Sequence, residues 1–158
     1  MDSGLCVFVD SDWAGDQVDR KSILGFVVIF KGGAVSWRSK KQTSVVLLTV
    51  EAEFIAASMA VKKILWHQRF FQSLGMYGSQ GTPLLIDNQG VLDLIKSGQI
   101  NDRTKHIDIR FRHICNHEKT DDIVGEHVAT EDQMADIMTK SLGMMKFGGL
   151  RKRIGVKE

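Results

Sequence analysis

Two short apolar runs, Leu5–Val9 and Leu84–Ile86, each lead straight into an aspartate, Asp10 and Asp87. The first is rich in β-branched residues, both are too short for helices, and both read as buried strands. An acid at the end of a buried strand is a strong constraint. A buried carboxylate costs several kcal/mol unless it is paired or holds a metal ion. In open sheets whose strands alternate with helices, ligands collect at the carboxyl ends of the strands. Both strands are therefore expected to deliver their acids to one edge of a single sheet.

The rest of the chain supplies that sheet and its cover. A second strand, Ile23–Phe30, turns at Gly32-Gly33 into a third, Ala34–Arg38, so the first three strands read as an antiparallel meander. From Val50 to Leu74 the pattern is helical, with Gly75 as the stop. At roughly 100° per residue, Val50, Ala57, Ala60, Val61, Ile64 and Phe71 share one face, with Glu51 and Lys62 on the other side. Glu53 falls near the centre of the apolar stripe and should face the sheet, whereas Glu51, roughly 160° away, should be solvated. Further helices are expected over Asn88–Lys96, closed by Gly98, and over His106–Glu118, Glu131–Lys140 and Phe147–Ile154, with a last strand at Ile123–Val128. The order βββ-α-β-α-α-β-α-α gives an α/β fold with a five-stranded mixed sheet flanked by helices. Its strands from Leu5, Leu84 and Ile123 should run parallel, because each of the later two is reached through helices. A length of 158 residues fits one domain over 1–158, with 142–158 as a helical tail.

Composition excludes more than it identifies. The longest apolar run, Ile23–Phe30, cannot cross a bilayer, and Asp2 stands where a secretory signal would carry a cation. Cys6 and Cys115 cannot form a disulfide framework, lack metal-ligand spacing and read as buried small hydrophobes. A reducing, intracellular setting follows. A net charge of +2 does not by itself announce a nucleic-acid binder.

Asp136, within the apolar turn Gln133–Met138, joins Asp10, Glu53 and Asp87 as a fourth acid in an apolar setting. The lysines and arginines mostly lie outside these motifs, which makes a shared divalent cation the expected partner. An oxygen-only ligand set suits magnesium or manganese rather than zinc. Two such ions, about 4 Å apart, can activate a water and stabilise the leaving oxygen of a phosphodiester. For any single acid, a strand-end cap or a surface position is an equally good reading.

The segment Phe8-Val9-Asp10-Ser11-Asp12-Trp13-Ala14-Gly15-Asp16 resembles the opening motif of the ribonuclease H domain in copia-type LTR retrotransposon Pol polyproteins. The likeness continues through Ser36–Gln42, Glu51–Ala56, Asp87-Asn88-Gln89, Arg103–Arg110 and Thr130–Lys140, in the family's order and over nearly the whole chain. Phe147–Gly155 resembles the usual end of such a polyprotein. The resemblance implies a ribonuclease H-like fold and hydrolysis of the RNA strand of an RNA–DNA hybrid by two magnesium ions, with manganese as a substitute. It places Asp10, Glu53, Asp87 and Asp136 as catalytic and metal-binding acids, with Asp12 as a further candidate if the first strand continues to it. It also implies a reverse transcriptase as neighbour, action as a monomer in isolation, and a cytoplasmic place in virus-like particles. Three departures stand out. Leu48-Thr49-Val50 replaces the family's Ser-Ser-Thr, and Ala129 and Ser141 stand where proline is usual.

A hybrid is read through its backbone and 2′-hydroxyls. Arg38, Ser39, Lys40, Lys41, Gln42 and Thr43 form a basic, hydroxyl-bearing stretch suited to that, or else a solvated turn. By similarity to ribonucleases H, Asn88 and Gln89 would approach the sugar edge beside Asp87. Arg151-Lys152-Arg153 reads as a solvated helix end, and Trp13, Trp37 and Trp66 as core. His106 sits in a family motif, and His127 is a candidate for the mobile histidine of cellular ribonucleases H, although it falls in a strand. Two rival readings remain. The run Val7–Asp12 fits the Asp-x-Asp opening of haloacid-dehalogenase-like phosphatases, but Ala14 breaks that motif and Glu53 would have no task in it. A retrotransposon-derived module that binds nucleic acid without cutting is the other.

Overall fold

The computed structural model describes residues 4–13, 18, 20–42, 49–99 and 108–156. Strands β1 (Leu5–Asp12), β2 (Ile23–Phe30) and β3 (Gly33–Lys41) form an antiparallel meander, followed by the long helix α1 (Thr49–Ser73). Then come β4 (Thr82–Ile86), α2 (Gln89–Ser97), α3 (Asp108–Lys119) and β5 (Ile123–His127). A 3-10 turn at Thr130–Asp132, a one-turn helix α4 (Asp136–Thr139) and α5 (Met144–Arg153) close the chain. The sheet order is β3-β2-β1-β4-β5, with β1, β4 and β5 parallel, as the sequence predicts.

Register decides where the acids emerge. Val7 pairs with Leu84 and Phe8 with Leu85 across the parallel β1/β4 pair. Continued three residues, the same offset puts Asp10 level with Asp87.

Both faces of the sheet are covered, which is why its central strands are apolar almost throughout. On one face Val7, Val9, Leu24, Phe26, Val28, Leu84 and Ile86 pack against the α1 stripe of Ala57, Ala60, Val61 and Ile64. Phe54 of α1 meets Phe111 of α3 edge-on at 5.3 Å. On the other face Phe8, Val27, Ile29 and Leu85 pack against Ala135 and Ile154. The α4 turn approaches β2 so closely that a Cβ on Gly25 would lie 2.6 Å from Thr139 Cγ2 and 2.7 Å from Met138 Cβ. Only glycine fits there. Helix α2 starts where Asn88 Oδ1 accepts the Val91 N–H at 3.1 Å, and stops at Gly98, whose φ is 63°.

The structure corrects several expectations. The single helix expected over Glu131–Lys140 is a 3-10 turn and a separate helical turn. Gln133, fully buried between them, donates from Nε2 to the Val9 carbonyl at 3.0 Å, and its Oε1 accepts the Ala135 N–H at 3.2 Å. Those bonds tie the segment to β1 where a continuous helix would pull away. Strand β1 runs on to Asp12, and β3 extends three residues beyond Arg38. The three tryptophans are not core: Trp13, Trp37 and Trp66 are exposed. Trp37 lies on the edge strand β3, and Trp66 lies on the outer flank of α1, where it stacks on Phe70 at 5.2 Å. Cys115 is buried as expected, but Cys6 is only half-buried. Glu51 is half-buried rather than solvated. His106, Thr43, Leu48 and Ala14–Asp16 lie outside the described residues. Among the described residues, no helix is long and apolar enough to cross a membrane.

Candidate active site

Three elements converge at the carboxyl ends of β1 and β4. Strand β1 brings Asp10, the chain just beyond β4 brings Asp87, and the fifth residue of α1, Glu53, comes down onto the sheet. Asp10 and Glu53 are buried, at 2% and 6% exposure, while Asp87 is half-buried. One carboxylate oxygen from each of the three lies within 4.8 Å of the others. They open into a cleft of about 510 Å³ that Asn88, Gln89 and Lys140 also line.

The electrostatics follow from that crowding. Burial, reinforced by the charges of Asp10 and Asp87, pushes the Glu53 carboxyl up to about 8. Burial also raises Asp10, with Asp136 and Asp87 adding to it, and outweighs the hydrogen bond from Thr139 and the charge of Lys140. Three oxygen donors so close, two of them buried and one retaining a proton near neutrality, suit a hard divalent cation that would displace that proton. The residues fit magnesium or manganese.

Asp136 stands apart from the three. Its side chain is 1% exposed, and each oxygen is taken by a different lysine: Oδ1 by Lys140 Nζ at 2.7 Å and Oδ2 by Lys146 Nζ at 2.6 Å. Lys140 Nζ also lies 3.3 Å from Asp10 Oδ2, and the Thr139 hydroxyl donates to the same oxygen. The four acids thus gather as three carboxylates in direct reach of one another and a fourth linked to Asp10 through an ammonium. Burial opposes the Lys140 charge, but its hydrogen bonds and charge contacts with Asp136 and Asp10 prevail and hold its pKa above the ordinary value. The basic residues mostly lie outside the acid motifs, as expected, but the expectation that a shared cation would partner every acid fails at Asp136, which Lys140 and Lys146 partner instead. Lys140 could have been found from its i,i+4 spacing to Asp136. Nothing local in the sequence points to Lys146 on α5.

No family model matches the chain. It is 37% identical over 149 residues to the retrovirus-related Pol polyprotein from transposon TNT 1-94 of Nicotiana tabacum, covering 94% of this chain and 11% of that one. It is 33% identical over 152 residues to the corresponding polyprotein from transposon RE2 of Arabidopsis thaliana, covering 96% and 10%. Its fold is similar to that of LC11 ribonuclease H1 in complex with an RNA/DNA hybrid, with a TM-score of 0.64 and 12% identity over 85% of this chain and 93% of that one. The chain belongs with the ribonuclease H domains of copia-type Pol polyproteins. It spans about a tenth of the length of the polyproteins it matches.

In this ribonuclease H domain the residues expected to contact substrate divide into two groups. Asn88 and Gln89 line the acid cleft, although Asn88 Oδ1 also caps α2 and Gln89 Nε2 donates to Asp93 Oδ1 at 2.7 Å. Arg38, Ser39, Lys40 and Lys41 are exposed on the edge strand, two strands away from β1, and do not line that cleft. Gln42 is buried, with Oε1 unpartnered. Lys40 and Gln42 instead line a second cleft of about 270 Å³ with Lys62 of α1 and Arg110 of α3, two cations that the sequence reading did not single out. Asp12 is half-buried at the end of β1, outside the group of three. His127 is exposed at the end of β5.

Proposed function

We propose that this domain hydrolyses the RNA strand of RNA–DNA hybrids with two bound magnesium ions, manganese substituting. The observation that carries the reading is the group of Asp10, Glu53 and Asp87, whose carboxylate oxygens lie within 4.8 Å of one another at the end of a parallel strand pair. When bound, the ions would supply an activated water and charge stabilisation for the leaving oxygen. Asp10, Glu53 and Asp87 would hold them, with Asp136 as the fourth acid. The Thr139 hydroxyl and Lys140 ammonium fix the Asp10 carboxylate, so its orientation does not depend on a ligand. Asn88 and Gln89 would meet the sugar edge, and Arg38, Ser39, Lys40, Lys41 and Gln42 the backbone farther along, since a hybrid reaches well beyond one cleft.

The Pol relatives support a reverse transcriptase as the natural neighbour of the domain, and with it a place in cytoplasmic virus-like particles. A single domain over 1–158 would act as a monomer in isolation. Incubation of the protein with an end-labelled RNA–DNA hybrid tests the activity. Cleavage of the RNA strand that requires magnesium or manganese and disappears in Asp10→Asn supports the reading. A folded protein that binds the hybrid but leaves it intact at every metal concentration would replace it with the silent binding module.

A further inference from the structure

The fourth acid is held by a helix to which the reaction assigns no role. We infer that Lys146 of α5 is a positioning residue that, with Lys140, clamps the Asp136 carboxylate, so that a divalent ion can reach Asp136 only by displacing Lys146. The inference rests on the metal-dependent reading above.

Three observations carry it. Asp136 is buried to 1% exposure and each of its oxygens already has an ammonium partner. Between the two lysines, Lys146 is the one free to leave. Lys140 directly follows α4 and is shared between Asp136 and Asp10, whereas Lys146 meets Asp136 and, at a long 3.5 Å, the Thr130 carbonyl. Its side chain is 38% exposed, so water can take up the departing ammonium while Lys140 still pairs the buried carboxylate. Finally, α5 does not depend on Lys146 for its docking. Leu150 and Ile154 are buried, Ala34 N donates to the Ile154 carbonyl at 2.8 Å, and Arg153 pairs with Asp132 at 2.6 Å. Removing the lysine charge leaves the helix in place and opens one Asp136 oxygen.

The consequence is an ordered loading of the site. The first ion needs only Asp10, Glu53 and Asp87. A second, reaching Asp136, competes with an ammonium already there.

Manganese binding, followed by the loss of the free-ion paramagnetic resonance signal, tests this on the full chain. Wild type should bind one ion tightly and a second more weakly. Lys146→Met, and Lys146→Gln in case the first variant folds poorly, should tighten the second ion about five- to tenfold and leave the first unchanged. Lys146→Arg should behave as wild type. Lys152→Met, which removes the same charge from an exposed position on α5, should change neither affinity. Equal affinities for both ions in wild type, no tightening in either neutral variant, or the same tightening in Lys152→Met would overturn the clamp. Hybrid cleavage by wild type is scored in parallel. Tightening specific to Lys146 without cleavage overturns the hydrolase reading and keeps the clamp, and cleavage without tightening does the reverse.

Discussion

Glu53→Gln should stabilise the metal-free protein, and only on the alkaline side. The Glu53 carboxyl is pushed up to about 8 in the folded protein from an ordinary value of 4.5. Below the ordinary value both folded and unfolded chains carry the proton, and Glu53 contributes nothing. Between the two values the folded chain keeps a proton that the unfolded chain has released, so stability falls as pH rises and levels off above about 8. At roughly 1.4 kcal/mol per pH unit the full penalty is on the order of 5 kcal/mol, an upper bound because the site can relax or admit water. Asp10 is shifted the same way by burial and steepens the slope. Urea unfolding in chelator at about pH 5 and about pH 8 reads the effect directly. Wild type should lose several kcal/mol across that window and Glu53→Gln much less, the two nearly coinciding at the acid end. Saturating magnesium should restore wild type at the alkaline end and do little for the variant. A wild-type stability that is flat across the window, or a Glu53→Gln that is the less stable protein at alkaline pH, would refute the burial of a protonated Glu53.

Magnesium at about a hundred times its dissociation constant should stabilise wild type by roughly 3 kcal/mol, raising the melting temperature by about 5–10 °C. Calcium should stabilise as well but support little hybrid cleavage, because its looser shell does not hold the tighter geometry. Glu51→Gln should cleave hybrid nearly as wild type does, since Glu51 lies outside the carboxylate group; a loss matching that of Glu53→Gln would mean the α1 phase does not select between them. Gly25→Ala should cost about 1–3 kcal/mol in urea unfolding and also weaken the magnesium shift, because the added methyl collides with Thr139 and Met138 at 2.6 and 2.7 Å.

What the sequence made legible was whatever depends on period and on strand ends. The apolar stripe of α1 selects Glu53 as the residue facing the sheet, and Glu53 is buried there at 6% exposure. Asp10 and Asp87 each follow an apolar run, and a parallel pair in register brings them level. Asn88 and Gly98 bracket α2 through side-chain and backbone chemistry that two residues can declare alone. The same local reasoning failed where the deciding partner is distant. Met134, Ile137 and Met138 have helical spacing, but Gln133 reaches 124 residues back to the Val9 carbonyl and breaks the helix. The tryptophans looked like core because two lie in or beside strands, yet an edge strand leaves Trp37 in solvent and the outer flank of a helix leaves Trp66 there.

The fourth acid shows why burial alone could not assign a ligand. Asp10, Glu53 and Asp136 are all nearly inaccessible, and each needs an opposite charge or a proton to remain so. Glu53 keeps a proton, Asp10 takes a hydroxyl and a shared ammonium, and Asp136 takes two ammonium groups. Sequence pattern sees only that an acid lies among apolar residues. For Asp10 and Asp136 the remedy is set by Thr139 and Lys140, within a turn of Asp136, and by Lys146, ten residues on in another helix. A lysine that satisfies Asp136 also lowers the negative charge next to Asp10, so the fourth carboxylate can be buried in the metal-free fold without adding its full repulsion to the other three. Of the two lysines that keep that acid in the fold, Lys146 is therefore the one that an incoming cation must displace.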